Sequence, residues 1–152
     1  MIVPRSYEQG SHVKIRLDRD VLAEAVAWTA RSLPTRPSVP ILAGLLVKAA
    51  NGQVVMSSFD YETSAKVAVN ADVHDEGVAL VSGRLLADIA RSLPAKPVDI
   101  TADASRMELV CGSARFTLQT LPVDDYPALP TMPDATGTVV SDQFARAVAQ
   151  VV

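Results

Sequence analysis

Apolar residues recur along this chain with two different periods, and the switches between them mark out its elements. Residues 13–17 (VKIRL) alternate apolar and polar, as a half-buried strand does. Asp18 or Asp20 then stands where it can cap a helix whose apolar positions Val21, Leu22, Ala25, Val26 and Thr29 share one face. Pro34 ends that helix, because the residue before a proline is pushed out of helical space. Pro37 and Pro40 stiffen the loop beyond it. Residues 41–49 are apolar and strand-like, and Asn51-Gly52 predicts a tight hairpin into residues 53–58. Residues 62–70 alternate again. Residues 78–81 lead into a second helix, capped by Ser82 and ended by Pro94 and Pro97, and three more strands read at 98–102, 106–111 and 114–120. The pattern predicts about eight strands and two helices before Leu121.

The two helices end in the same words. Ala30-Arg31-Ser32-Leu33-Pro34 returns as Ala90-Arg91-Ser92-Leu93-Pro94, and the apolar stretches upstream of both copies are also alike. A weaker third copy opens at Ser141 (SDQFARAVAQVV), so helix starts fall roughly 60 residues apart, longer than most solenoid periods. Between the second and third copies, Pro122, Pro127, Pro130 and Pro133 cannot donate ladder hydrogen bonds and predict a semi-rigid connector. This places one α+β domain at residues 13–130, helices packed on antiparallel sheet with an internal pseudo-repeat. Residues 131–152 are expected to be a linker and the opening of a second unit. Residues 1–12 have no periodicity, and their Val-Pro-Arg and Gly-Ser-His elements read as a leader or tag remnant.

Composition narrows the function. At 152 residues, 49% hydrophobic and 20% charged, the chain has the apolar mass for a globular core. It holds no apolar run of membrane-spanning length and no signal-peptide middle. Cys111 is the one cysteine, so neither a disulfide framework nor a zinc knuckle is expected, and a small buried hydrophobe in a cytoplasmic protein is. The net charge of −3 argues on average against nucleic acid, yet Arg31, Arg36, Arg84, Arg91 and Lys96 all fall in the two helices or the loops after them. Arg31 and Arg91 also read as solvated helix ends, where a cation complements the C-terminal dipole. Catalytic chemistry finds no foothold. Asp60/Glu62 and Asp124/Asp125 have no His or Cys beside them, and His12 lies in the leader. His74 lies in an acidic loop with Asp72, Asp75 and Glu76, Trp28 reads as partly buried packing, and Gly83 and Gly112 form no phosphate-binding pattern. The expectation is a non-enzymatic protein without metal or cofactor.

Taken in order, the helix ending in LP, the RPSVPIL loop, the hairpin, SSFDYE, VSGRLLADIARSLP and RFTLQTLPVDDYPALP resemble the first domain of the bacterial beta sliding clamp family, in an actinobacterial version. That family is the processivity subunit of the replicative DNA polymerase. The resemblance covers residues 13–152 and implies a DNA-clamp fold: three similar domains per subunit, two subunits head to tail in a ring, helices lining the hole and an acidic outer wall of sheet. It implies double-stranded DNA held without sequence preference, since phosphate contacts carry no sequence information. Arg36 matches the family's DNA-touching loop position, and Arg84 and Arg91 match basic positions on the second inner helix, with Arg31 and Lys96 alongside. Beside Arg84, where relatives can carry lysine, this chain has Leu85. Phe116 and Leu118 match an apolar dimer contact on an edge strand, with Arg115 next to them for ion pairing. Alternation alone does not separate such a contact from an ordinary core face. Polymerase and clamp loader would be engaged through domains outside this stretch, at the nucleoid. The alternative is a stand-alone truncated paralogue or decoy that binds a full clamp through its edge strand.

Overall fold

The alternation in VKIRL does what its period demands: Val13, Ile15 and Leu17 are buried while Lys14 and Arg16 face solvent. The computed structural model describes residues 12–152, so the reading of residues 1–12 as a leader falls, but for His12, outside the described residues. Along them run β1 (Val13–Leu17), α1 (Arg19–Ala30), β2 (Gly44–Ala50), β3 (Gln53–Phe59), β4 (Ser64–Asn70), β5 (Asp72–Asp75) and β6 (Gly77–Ser82). Then come α2 (Gly83–Ser92), β7 (Val98–Ala102), β8 (Arg106–Cys111), β9 (Ala114–Leu121) and α3 (Ser141–Val151).

Local chemistry sets the boundaries. Asp18, not Asp20, caps α1, its carboxylate accepting from the Asp20 and Val21 amides at 2.8 and 3.3 Å. Ser82 caps α2 as expected. Asn51 and Gly52 both have positive φ, 53° and 70°, which a type I′ turn requires, and they join β2 to β3 in the expected hairpin. Two strands start later than the pattern predicts. Pro40–Ala43 is a 3₁₀ turn with proline at its start, so β2 begins at Gly44. The Asp60 carboxylate accepts from the Glu62 and Thr63 amides, closing a turn that delays β4 to Ser64.

One strand is missing from the predicted pattern. The segment read as an acidic loop around His74 is β5, paired antiparallel with β1. It therefore makes nine strands among the described residues, all in antiparallel register, in the order β4-β3-β2-β6-β9-β8-β7-β1-β5. β9 serves both halves of this curved sheet: residues 114–119 pair with β8, whereas Thr120 and Leu121 pair with β6.

The order explains the sequence echo. The chain writes strand, helix and three strands twice, as β1-α1-β2-β3-β4 and β6-α2-β7-β8-β9. The first strand of each copy pairs with the second strand of the other, β1 with β7 and β6 with β2. The copies are thus laced through each other, and their buried residues form one core running from Val13 and Leu22 to Leu109 and Leu118. Both helices pack against each other and against the sheet. From Thr131 to Val152 every residue is exposed.

Candidate nucleic-acid interface

Each helix buries one stripe and shows another. α1 buries Leu22, Ala25, Val26 and Thr29. Val21, expected on that face, is 38% exposed, and Trp28, expected to be partly buried, is 51% exposed. The two side chains line a shallow groove with Val67 and Val69 of β4. α2 buries Gly83, Leu86 and Ala90 and shows Arg84, Leu85, Asp88 and Arg91.

The helices run antiparallel, which decides where the cations gather. At one end, a Cβ on Gly83, the first residue of α2, would collide with the Leu33 side chain just beyond α1. At the other end, the Arg19 guanidinium of α1 donates to the carbonyls of Arg91 and Leu93 at 3.2 and 3.1 Å. Arg31 and Arg84 therefore sit at one end of the pair and Arg91 at the other, with Arg36 and Lys96 in the loops that follow α1 and α2. All five side chains are on exposed residues. At 1.5 Å per residue the two ends lie ~15 Å apart, roughly four base-pair steps of duplex.

Not all five cations are equally free. Arg91 pairs with Asp88 one turn earlier. Among the described residues, Arg31, Arg36, Arg84 and Lys96 make no ion pair. Lys96 sits on neither helix, and its stem lies across the β8–β9 turn, where a Cβ on Gly112 would come within 3.0 Å of it. The exposed stripe of α1 between its ends is Asp20, Val21, Glu24 and Trp28, so the middle of that helix is acidic and apolar rather than basic.

The apolar pair on β9 divides. Leu118 is 5% exposed and belongs to the core, while Phe116 is half-buried against it. The exposed Phe/Leu pair anticipated on an edge is thus one half-covered phenylalanine. Only the early part of β9, which has β8 on one side alone, is open to a partner strand. Arg115 is exposed and pairs with Glu108 across the ladder at 3.6 Å. On the same outer face Arg16 meets Asp99 at 3.3 Å, so the sheet presents mixed charge where an acidic wall was expected. Sequence reasoning missed Arg19 altogether, because a cation at the first turn of a helix gives no local sign that it reaches a second helix end. Among the described residues no three His, Cys, Asp or Glu side chains converge on a metal-sized site, and no helix is long and apolar enough to cross a membrane.

An interlaced β-α-β-β-β pair with two antiparallel helices on one face is a sliding-clamp domain. The structure matches the DNA polymerase III subunit beta of Pseudomonas aeruginosa with a TM-score of 0.81 at 25% identity, over 90% of this chain and 38% of that one. It matches the Bacillus subtilis DNA polymerase sliding clamp with a TM-score of 0.76 at 25% identity, over 80% and 34%. The model of the DNA polymerase III beta subunit, N-terminal domain, covers residues 13–130, and this chain belongs to that family. It is 66% identical over 139 residues to the beta sliding clamp of Streptomyces coelicolor, covering 91% of this chain and 37% of that protein. The corresponding figures for the Micrococcus luteus beta sliding clamp are 53%, 91% and 45%. The chain thus spans less than half the length of these relatives.

Proposed function

We propose that this chain is the first domain of a ring-shaped processivity factor, which encircles duplex DNA and tethers the replicative polymerase to it. The observation that carries the reading is the helix pair with cations at both ends. Arg84 stands on the exposed face of α2, and Arg31, Arg36 and Lys96 stand just beyond the helix ends, all exposed and without an ion pair among the described residues. Such contacts suit sliding. Phosphate contacts are sequence-blind, so each is lost and regained at little net cost as the protein moves along a duplex. A closed ring needs only a few of them, and pairing Arg91 with Asp88 weakens one further. Residues 13–130 are the folded domain in this reading, and residues 131–152 begin the next. Arg84 at one end, Arg91 at the other and Arg36 in the loop after α1 are the phosphate contacts, with Arg31 and Lys96 in support. The open part of β9 around Phe116, flanked by Arg115, is the seam toward the other subunit. The protein works in the cytoplasm on the nucleoid, as an accessory rather than an enzyme.

The test is Arg36→Ala combined with Arg91→Ala in the full-length protein that carries this domain, read as retention on circular duplex DNA across a salt series. Loss of two phosphate contacts should lower the magnitude of the salt slope by about 1.8 and weaken retention, with the melting temperature unchanged. Retention and slope equal to wild type in a folded double variant would overturn the assignment.

A further inference from the structure

Arg19 is a cation of the helix pair that does not face outward. Its side chain is 28% exposed and each of its three nitrogens donates: Nε to the Leu93 carbonyl at 3.1 Å, Nη2 to the Arg91 carbonyl at 3.2 Å, and Nη1 to Asp20 Oδ1 at 2.8 Å. The two carbonyls belong to the last turn of α2 and to its C-cap residue, where the helix has run out of amides to satisfy them and Pro94 offers none. A guanidinium there also complements the negative end of the α2 dipole.

The residues just beyond are fixed from the other side. The Cys111 thiol, buried at the end of β8, lies 3.2 Å from the carbonyls of both Pro94 and Lys96, two acceptors for its one proton. The Lys96 amide turns back onto the Pro94 carbonyl at 2.8 Å. The stretch from Arg91 to Lys96 is therefore held by Arg19 at its start and by Cys111 at its end, and its two cations leave from the held residues themselves.

We infer that Arg19 is a positioning residue of the DNA-facing surface: it locks the end of α2 so that Arg91 and Lys96 are presented at a fixed place, and it makes no phosphate contact of its own. The inference rests on the reading of that face as the DNA face. Lysine cannot substitute, because one ammonium does not span two carbonyls in the planar fork that arginine supplies.

Two measurements test it. In this chain Cys111 is the single thiol, so its alkylation rate under native conditions reports on the 91–96 stretch. Arg19→Met and Arg19→Lys should both speed alkylation about tenfold while leaving the cooperative melt intact; an unchanged rate would overturn the proposal. In the full-length protein both variants should weaken retention on circular DNA several-fold, yet add no further loss in an Arg91→Ala/Lys96→Ala background, which is the signature of coupled groups. An additive loss, or rescue of retention by Arg19→Lys, would show Arg19 to be a direct contact and overturn it. If Arg91→Ala/Lys96→Ala itself left retention untouched, the DNA-facing reading would fail, and the role of Arg19 in it, whatever the thiol rates.

Discussion

Asp103 shows how a single side chain can hold a turn and report on pH. It sits between β7 and β8, where its Oδ1 accepts from the Ser105 amide and hydroxyl, each at 2.8 Å, and from the Arg106 amide at 2.9 Å. Donors aimed at a carboxylate favour its charged form, and these, led by Ser105, lower its pKa from 3.8 to about 2. The sign follows from the direction. A carboxyl whose pKa is depressed on folding contributes stability that is fully present above the unfolded value and is lost as pH falls through the folded one. Asp103→Ala should therefore melt below wild type at neutral pH, and the gap should narrow between pH ~4 and ~2. A gap independent of pH in thermal melts would mean that the turn does not depend on the charge. At this scale the sequence was partly legible. Ser82 announced its cap, and that of α1 was narrowed to Asp18 or Asp20, because capping is local. Arg19 and Leu118 did not announce their roles, because an inward guanidinium and a core leucine are defined by residues 74 and 11 or more positions away.

At the scale of elements, the helix pair is built on small residues. Gly83 opens α2 where the chain is closest, against Leu33 just beyond α1 and Leu45 of β2, while Ala87, Ala90 and Ala23 pack against the core. A methyl there runs into Leu33 and comes within 3.3 Å of the Leu45 Cβ, which is backbone-bound and cannot swing away. Gly83→Ala should gain up to about 1 kcal/mol of helix propensity but lose about 1–3 kcal/mol to overpacking. The net expectation is a lower denaturant midpoint with unchanged m-value, and a variant more stable than wild type would refute the close approach. Most elements were legible because a buried face imposes its period on the sequence: β1, both helices and the β2–β3 hairpin follow from residues that touch the core or demand a turn. β5 was not. It contributes one apolar side chain, Val73, among Asp72, His74 and Asp75, and its pairing with β1 leaves no periodic trace. Charge on an outer strand is what blunts an exposed edge, so the feature that hid the strand is also one that suits its place. The acidic, apolar middle of α1 is hidden for a related reason: neighbourhood in sequence groups the cations by helix, whereas the fold separates them by helix end.

At the scale of the whole molecule, the interlacing of the two copies settles where folding cooperativity stops. Because β1 pairs with β7 and β6 with β2, neither copy can bury its strands without the other, so residues 13 to 121 should melt as one unit. The segment after β9 still belongs to it. Tyr126 is buried, and that burial together with nearby Asp60 pushes its phenol above the ordinary value. Beyond residue 130 the contribution ends: Met132, Val139, Phe144 and Val151 are all exposed, and α3 buries no residue. Its ion pair, Arg146 with Asp142 at 3.9 Å on a solvent-exposed face, adds at most a few tenths of a kcal/mol to the helix alone. A chain ending at residue 130 should consequently match the 152-residue chain in melting temperature to within about 1–2 °C, since an 8-fold change in the folding equilibrium would already move it by several degrees. It should also lose the helical signal of α3 in circular dichroism only to the extent that an isolated 11-residue helix forms at all in water, which is little. A drop of 5 °C or more would place α3 against the domain and move the boundary beyond residue 130. An unchanged melt would show that the exposed stripe of Phe144, Val148 and Val151 adds nothing to the stability of the domain.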